Sequence, residues 1–325
     1  MSVTYNTDDF FVGESSYNDG QDSKTCPQVG CTVFKFNKTM RCAIDKLGGA
    51  VGTYYGESMD VFDKDPTYHN EVDAICFSGG SLNGLITVAG VAEQMVNDAI
   101  QDNKRAWDGE DAFYFIPVVR GAITFSGAWG KVNTWKPPDA ALGKLAMQNL
   151  SKTVHLGQHG AGSNAEVGSI LTDSYGAPGG QGAYCETRSF GSCNVFCAVY
   201  CNLNSKGAIY KEDKLFYGPD VPNQNSNNGR STNILIHTNA KLRSMDLMRQ
   251  LARQVHVSIA SIIRPYAAHS DGDVLFLTSS EAVEVEDCIN LGMFFSECLK
   301  KAVYSVVEHH HKVNQTQVVC SPVIF

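Results

Sequence analysis

The stretch NNGRSTNILIHTN, residues 227–239, passes from a polar run to an apolar run within a single residue. The run before it, DVPNQNSNNGR (220–230), is rich in Asn, Pro, Gly and Ser, which predicts a loop. The run STNILIHTN (231–239) is dominated by β-branched and apolar residues, which predicts a strand. The sequence therefore places Ser231 at the start of a buried strand, directly after a loop.

A serine in this position has a specific chemistry open to it. Its hydroxyl could attack the carbonyl of Arg230, and the resulting N-to-O acyl shift would give an ester that water cleaves. The new chain would begin with Ser231, whose α-amino group has a pKa of about 7.7 to 8.0 and can serve as a base for its own hydroxyl. A Ser-Thr pair at a strand start is also an ordinary structural feature, so the junction alone does not decide between these two interpretations.

The rest of the chain mixes strands and helices without a long linker. Residues 1–30 are polar and predict a loosely held, flexible leader, and the segment GQHGAGSNAEVG (157–168) is too rich in glycine for regular structure. Apolar periodicity predicts helices at 138–150, 244–263 and 283–310, and strands at 31–36, 41–46, 50–55, 113–119, 192–202, 231–239 and 273–279. Residues 73–100 are expected to divide into a strand, a glycine-rich turn and a helix. We expect a single α/β domain over residues 31–325, with helices outside the sheets.

Composition excludes several functional classes. The 325 residues are 43% apolar and 18% charged, which suits a large globular core, and the net charge is -8. This acidity disfavours nucleic-acid and anionic-membrane binding. The N-terminus MSVTYNTDDFFVG lacks the features of a signal peptide, and no apolar run approaches the roughly 20 residues that span a bilayer. We therefore expect a cytoplasmic protein.

Cysteine and histidine patterns do not indicate a metal or cofactor. The chain has eleven cysteines but no CxxC pair, so no zinc site is expected. Cys193, Cys197 and Cys201 recur at every fourth position, which on a strand predicts a buried row of thiols on one face. The run HHH (309–311) is interpreted as an exposed helix end. No dinucleotide fingerprint is present, and we expect no cofactor.

Several segments occur in an order that resembles the DmpA-like family of aminopeptidases and amidases, and in particular its nylon-oligomer hydrolase branch. The segments are LGGAVGT (47–53), HNEVDAICFSGGSLNGLITVAGV (69–91), PDAALG (138–143), GQHGAGSNAEVG (157–168), GGQGA (179–183), STNILIHTN (231–239) and QLARQVHVSIASIIRPYAAHSDGDVLFLTSS (250–280). The resemblance implies a four-layer αββα sandwich, similar to that of DmpA and ornithine acetyltransferase. It also implies an N-terminal-nucleophile hydrolase that cleaves itself, acts on a small amide or short-peptide substrate, and assembles as a homo-oligomer.

The resemblance also implies roles for individual residues. Ser231 takes the position of the family's nucleophile, which places the self-cleavage between Arg230 and Ser231. Asp271 and Asp273 match the acidic pair of the nylon-oligomer hydrolase branch. Two carboxylates that flank a glycine can hold an amine or accept a proton, and their mutual repulsion separates their pKa values. An ordinary Asp-Gly-Asp turn is the structural alternative.

Other matched residues suggest a site for the oxyanion. Asn202 matches a family asparagine that positions the substrate and stabilises the negative charge that develops on its carbonyl oxygen. Gly79 and Gly80 lie between a strand and a helix, where their N–H groups could contribute to the same site, although a simple turn is an equal alternative. His256, on the helix after the nucleophile strand, is interpreted as a core histidine rather than a catalytic base.

The chain departs from the family pattern at three positions. Arg230 precedes the predicted cut, where a small residue is usual. Ser169 replaces a common lysine, and Thr124 occupies the position aligned with an active-site tyrosine. Losing that lysine removes a cation that could hold a carboxylate. These departures leave open an uncleaved, non-catalytic relative that acts as a binding or scaffold protein, and an acyl transferase is a further alternative.

Overall fold

The structure is a computed structural model, which describes residues 1–17, 29–57, 70–102, 115–126, 136–169, 176–219 and 229–319. Its strands are β1 (Ser2–Thr4), β2 (Phe10–Tyr17), β3 (Val29–Lys46), β4 (Thr53–Tyr54), β5 (Glu71–Ser78), β6 (Val119–Ile123), β7 (Thr153–His155), β8 (Glu166–Val167), β9 (Ala177–Pro178), β10 (Gly180–Phe190), β11 (Cys193–Leu203), β12 (Ala208–Lys211), β13 (Lys214–Tyr217), β14 (Asn233–Lys241), β15 (Ile263–Arg264) and β16 (Val274–Glu284). Its helices are α1 (Leu85–Gln101), α2 (Ala140–Gln148), α3 (Met245–Ser258) and α4 (Cys288–Val319).

A single long strand joins two halves of the main sheet, whose order is β10-β11-β14-β16-β3-β5-β6-β4 with β2 paired to β3. Strand β3 is 18 residues long. Its first part pairs with β2 and β5, and its second part pairs with β16. The register with β5 shifts between Lys35 and Met40. Such an irregularity bends a strand, which allows the two halves to face each other.

Three hydrophobic clusters define the layers. One lies under α3 and α4 and includes Leu251 and Leu299. A second lies under α1 and α2 and includes Val88 and Leu142. Aromatic residues of the third cluster, such as Tyr200, fill the space between the two halves of the sheet. The order helix, sheet, sheet, helix confirms the predicted αββα sandwich.

Local signals explain where the helices start. The Asp139 side chain accepts a hydrogen bond from the N–H of Leu142 at 3.0 Å, which caps α2. The Ser244 side chain accepts one from the N–H of Leu247 at 3.2 Å and caps α3. Along the described chain, no helix is both long enough and apolar enough to cross a membrane.

Several predicted boundaries are wrong: the strands predicted at 31–36 and 41–46 are one strand, β3, and the strand predicted at 50–55 is only Thr53–Tyr54. The strand predicted at 113–119 is observed at Val119–Ile123, while 115–118 have no regular structure and 113–114 lie outside the described residues. The last helix begins at Cys288 rather than at residue 283, because strand β16 continues to Glu284. Pro117 has no N–H to give to a sheet, and the chain pairs with β5 only from Val119 onward. At the start of the last helix, pairing of Val283 and Glu284 with β14 extends the strand.

The prediction of a flexible leader is wrong for residues 1–17. Strand β2 pairs along its whole length with β3. Tyr5 and Phe10 are both 1% exposed and their rings pack edge to face, with centroids 5.2 Å apart. The apolar residues Tyr5, Phe10 and Val12 of this segment are buried, so an overall polar composition concealed a strand. Residues 18–28 lie outside the described part of the chain.

The cysteine row is confirmed at Cys197 and Cys201, which are fully buried in β11, whereas Cys193 is partly exposed at the strand's end.

The prediction of an exposed helix end at HHH (309–311) is wrong for two of its residues, because His309 and His310 are buried. His310 Nε2 donates to the carbonyl of Gly179 at 2.8 Å. This contact ties the far end of α4 to the sheet.

Replacing Phe10 with Ala should lower the free energy of unfolding by about 3–5 kcal/mol, because it leaves a cavity among the central aromatic rings. Urea unfolding of an uncut Ser231→Ala background would measure this. Ile116→Ala is the control, since Ile116 is 71% exposed and its loss should cost less than about 0.5 kcal/mol. Equal effects of the two substitutions would show that residues 1–17 are not part of the core.

Candidate active site

Ser231 lies at the entrance to β14, the strand between β11 and β16 in the sheet. It is 2% exposed. Its N–H donates to the carbonyl of Asn204 at 3.0 Å, just beyond the end of β11. The predicted nucleophile is therefore fixed from one side by an antiparallel neighbour.

A three-residue turn holds the other side of the same segment. The carboxylate of Asp271 accepts from the N–H of Arg230 at 3.3 Å. The N–H of Gly272 donates to the carbonyl of Arg230 at 2.6 Å. The carboxylate of Asp273 accepts from the N–H of Thr232 at 2.7 Å. The peptide bond predicted to break is thus held at the amide before it, at its own carbonyl and at the amide after it.

Only glycine fits in the middle of this turn. A Cβ on Gly272 would lie 2.5 Å from Oγ of Ser231 and 3.0 Å from the carbonyl oxygen of Ala50. Such contacts would displace the hydroxyl or the turn. The glycine between the two aspartates therefore permits close packing of the turn against the hydroxyl, and it leaves its N–H directed at the Arg230 carbonyl.

Burial dominates the electrostatics of the acidic pair. It raises the pKa of Asp273 to about 7, and repulsion by the neighbouring Asp271 carboxylate adds to the rise. Burial also raises the pKa of Asp271, while the Lys206 ammonium opposes that rise. A carboxyl group that titrates near neutral pH can exchange a proton during turnover.

Lys206 is a site residue that the sequence analysis did not identify. It is 3% exposed. Its Nζ lies 3.8 Å from the Asp271 carboxylate and contacts the hydroxyl of Ser270. The available signal was a lysine in the short segment Asn204–Gly207, directly after a strand that ends in the predicted site. A buried ammonium requires an anionic partner, and Asp271 provides it.

The predicted site residue Ser169 lies beside this segment. It is 3% exposed, and its hydroxyl has no hydrogen-bond partner among the described residues. The preceding Gly168 donates its N–H to the carbonyls of Ser205 and Gly207, both at 3.0 Å. These are the neighbours of Lys206 in the chain. The cation that is missing at position 169 is therefore present on the adjacent segment.

Asn202 and Thr124 belong to one buried polar cluster, together with Asn233. Nδ2 of Asn202 donates to Oγ1 of Thr124 and to the carbonyl of Ala161, both at 2.7 Å. Nδ2 of Asn233 donates to the same hydroxyl at 2.9 Å and to the carbonyl of Ile123 at 3.0 Å. The main-chain carbonyls accept only, so they fix both amide orientations. Both Oδ1 atoms are buried and unpaired within the described ranges.

This cluster is more suited to receive hydrogen bonds than to donate them. Asn202 pairs with Asn233 across β11 and β14, and Ser231 is two residues before Asn233. Residues two apart on a strand share a face, so the cluster and the nucleophile lie on the same side of the sheet. Because the NH₂ groups are already occupied, the geometry does not favour Asn202 as the donor to an oxyanion.

Asn204 is a second residue that the sequence analysis missed. Besides its carbonyl contact with Ser231, its side-chain Oδ1 accepts from the N–H of Glu166 at 3.0 Å. Its Nδ2 donates to the carbonyl of Phe125 at 3.2 Å. The sequence NLNSKG offers two asparagines in alternate positions, and only the strand pairing identifies the one beside the nucleophile.

Gly79 and Gly80 do not present free amides. The N–H of Gly79 donates to the carbonyl of Gly30 at 2.9 Å, and that of Gly80 donates to the carbonyl of Ser126 at 2.8 Å. Gly80 has a φ of 88°, a conformation that favours glycine. This geometry agrees with the simple-turn alternative rather than with an oxyanion site.

His256 is a core residue, as expected. Its ring is fully buried, with Nδ1 2.8 Å from the Asp45 carboxylate and Nε2 2.7 Å from the hydroxyl of Tyr266. Burial lowers its pKa, although Asp45 opposes the shift. Both ring nitrogens are engaged, which explains how an imidazole is accommodated in the interior.

Comparison with known proteins places this geometry in a family. The sequence model of peptidase family S58 matches residues 10–319. A 6-aminohexanoate-oligomer endohydrolase of Paenarthrobacter ureafaciens is 24% identical over 298 residues, which cover 84% of this chain and 74% of the relative. A protein of the same name from Kocuria sp. (strain KY2) is 25% identical over the same shares of the two chains.

Solved structures agree on the fold. The L-aminopeptidase D-Ala-esterase/amidase of Ochrobactrum anthropi, described as a variant of the Ntn hydrolase fold, superposes with a TM-score of 0.66 at 15% identity, covering 92% of this chain and 83% of that one. A β-aminopeptidase from Burkholderia sp. gives a TM-score of 0.63 at 14% identity, covering 91% and 83%. The Ntn hydrolase architecture predicted from the sequence is confirmed.

The raised pKa of Asp273 predicts a pH dependence of stability. Between about pH 4 and pH 7 the folded chain holds a proton on this carboxyl group that the unfolded chain has lost. The stabilisation is therefore complete below about pH 4 and disappears as the pH rises through about 7. Urea unfolding of uncut Ser231→Ala protein should show this decline.

Asp273→Asn in the same background should flatten the decline, because the titrating group is gone. Asp246→Asn, at an exposed position in the first turn of α3, is the control and should keep the slope of the parent. If the slope is unchanged by Asp273→Asn, the carboxyl group does not titrate in this range.

Proposed function

The chain belongs to peptidase family S58, and from this premise we propose that it is an amide hydrolase that activates itself by cutting between Arg230 and Ser231. The contacts of the Asp271–Gly272–Asp273 turn with residues 230–232 carry the proposal. They fix the carbonyl to be attacked and the amide on each side of it, beside a buried serine hydroxyl. Fixed geometry of this kind supplies much of the rate of an intramolecular reaction.

The first reaction is the self-cleavage. Oγ of Ser231 bonds to the carbonyl carbon of Arg230, the carbon–nitrogen bond of the peptide breaks, and the hydroxyl proton goes to the departing nitrogen. The N–H of Gly272 stabilises the negative charge that develops on the Arg230 oxygen. Water then adds to the ester carbon and gives one proton to Oγ as the ester bond breaks, while the acid formed on Arg230 loses its proton, which leaves a carboxylate on Arg230 and a free amine on Ser231.

The second reaction repeats this chemistry on an external amide. The free amine of Ser231 remains near the Asn204 carbonyl, which accepts its N–H in the uncut chain, and this contact orients it as the base for Oγ. Oγ attacks the substrate carbonyl, the substrate amine leaves with a proton, and water hydrolyses the acyl-enzyme. Asp271 and Asp273 hold the turn in place, and the Lys206 ammonium opposes the rise that burial causes in the pKa of Asp271.

The substrate is an amide of a peptide or of an amino acid derivative, as the family implies. The 6-aminohexanoate oligomers on which the relatives named above act are one candidate, and short peptides are another. We also retain a homo-oligomeric assembly and a cytoplasmic location as proposals. An acyl transferase would differ by forming new amides when an amine acceptor is added, and a non-catalytic relative would remain uncut and inactive.

Purified wild-type protein should separate into two chains, residues 1–230 and 231–325, which intact mass measurement identifies. Ser231→Ala should remain one chain and should lose hydrolysis of aminoacyl p-nitroanilides, because both reactions need the same hydroxyl. Ser192→Ala changes an exposed hairpin serine and should behave as wild type. A Ser231→Ala protein that still breaks at this bond contradicts the proposal.

Lys206→Met should move the acid limb of the pH–rate profile to higher pH, because the ammonium lowers the pKa of Asp271. The profile of kcat/KM between about pH 5 and pH 9 measures this shift. Lys206→Arg restores a positive charge and should return part of the shift. Lys214→Met, on the exposed β13 strand, is the matched control, and a profile that Lys206→Met leaves unmoved contradicts the role of this lysine.

A further inference from the structure

The side chain of Arg230 lies beside a carboxylate, that of Glu166, next to the proposed nucleophile. It is buried, and Nη2 donates to the Glu166 carboxylate at 2.6 Å. Nη1 donates to the carbonyl of Gly229 at 3.3 Å, while the buried Nε has no hydrogen-bond partner in the described part of the chain. The Glu166 side chain is 19% exposed, so this carboxylate can be reached from solvent.

Glu166 and the nucleophile are fixed on one frame. Asn204 accepts the N–H of Ser231 through its main-chain carbonyl and the N–H of Glu166 through its side chain, both at 3.0 Å. The N–H of Ser205 also donates to the carbonyl of Glu166 at 2.8 Å. The main chain of Glu166 is therefore held relative to Ser231 by bonds that do not involve the Arg230 side chain, so the carboxylate stays within reach of the same space when Arg230 leaves.

The self-cleavage reaction indicates where the side chain of a substrate's acyl group would lie, and this inference rests on the proposed function. When Oγ takes the Arg230 carbonyl, the product is an ester whose acyl group is an arginyl residue. Chemically this ester is an acyl-enzyme. The acyl group of an external substrate becomes attached to the same oxygen, so its side chain extends into the same space.

We propose that the mature enzyme prefers amides whose acyl group carries a cation on a flexible chain, and that Glu166 binds this cation after Arg230 has left. A lysyl and a 6-aminohexanoyl group place their terminal nitrogen the same number of bonds from the carbonyl carbon, and an arginyl group reaches slightly further. A lysyl or arginyl amide also brings an α-ammonium to the place of the Arg230 N–H, beside Asp271.

The uncut chain fills this site with its own residue. Cleavage leaves Arg230 as a new C-terminus that bears a carboxylate in addition to its guanidinium. That carboxylate lies close to Asp271 and Asp273, which disfavour a second negative charge. Charge repulsion therefore helps Arg230 to leave, and a substrate with a neutral amide in place of the carboxylate avoids this repulsion.

The experiment compares p-nitroanilides of L-lysine and L-norleucine, which differ only by the terminal ammonium. Wild-type enzyme, confirmed as cut, should show a kcat/KM about tenfold to a hundredfold higher for lysine, as expected for a charged hydrogen bond. In Glu166→Gln this ratio should fall toward one. Glu308→Gln, at an exposed position on α4, is the matched control and should keep the wild-type ratio.

A second measurement needs no variant, in case Glu166→Gln fails to fold or to be cut. L-Argininamide, whose neutral amide avoids repulsion by Asp271 and Asp273, should compete with the anilide substrates in wild-type enzyme, and L-citrullinamide, its uncharged isostere, should compete at least about tenfold more weakly. The 6-aminohexanoyl anilide shows whether the terminal cation alone is sufficient. If it is cut less well than the lysyl anilide, the α-ammonium contact with Asp271 contributes to recognition.

The possible outcomes separate this inference from the proposed function. An enzyme that is cut and active but hydrolyses lysine and norleucine anilides equally, or is inhibited equally by L-argininamide and L-citrullinamide, overturns the inference and leaves the hydrolase proposal intact. An enzyme that hydrolyses none of these amides contradicts the proposed function itself.

Discussion

The hydrogen bonds between residues 230–232 and the Asp271–Gly272–Asp273 turn are the constraint on which the site depends. They lie where strands β14 and β16 enter the sheet side by side in parallel. This pairing directs one N–H at the carbonyl before Ser231 and places one carboxylate on the amide at either side. Burial excludes water from these contacts and also raises the pKa of both aspartates. The fixed position of the Arg230–Ser231 peptide bond and the raised pKa values of Asp271 and Asp273 therefore have one cause.

The rest of the fold serves to keep this junction in the interior. Strand β3 belongs to both halves of the main sheet and pairs with β16, so the turn before β16 cannot move without disturbing the sandwich. From the other side, the segment Asn204–Gly207 contacts Ser231, Glu166 and Asp271. The predicted nucleophile, the Asp271–Gly272–Asp273 turn and the buried lysine are therefore held together by direct contacts before the proposed cut is made.

Lys206 supplies the positive charge beside Asp271. The resemblance implies a lysine at the position where this chain has the buried Ser169. The cation beside Asp271 comes instead from the neighbouring segment, to which Gly168 is hydrogen-bonded. What the acidic pair requires is a positive charge at a given place, because two buried carboxylates without a cation are unstable. This requirement fixes where the positive charge must lie, but any segment of the chain that reaches that place can supply it.

Local patterns of the sequence predicted a layered α/β domain and the loop-to-strand junction at Ser231, because mixed apolar periods and an abrupt change from polar to apolar residues are visible in the chain; the αββα order and the acidic pair came from the resemblance. The order of short motifs was sufficient to indicate the family. The sequence also predicted the buried cysteines of β11 and the core position of His256, since apolar surroundings are visible in the pattern. It failed at residues 1–17, where a polar composition concealed a strand that is stabilised by pairing with β3.

Only the tertiary structure decided which side chains meet. It selected Asn204 over Asn202 as the neighbour of the nucleophile, identified Lys206 as the partner of Asp271, and showed that Gly79 and Gly80 use their N–H groups within the main chain. It also paired Arg230 with Glu166 across 64 residues of sequence. Each of these contacts joins segments that are distant in the chain, and their pairing depends on strand register and burial, neither of which has a local signature.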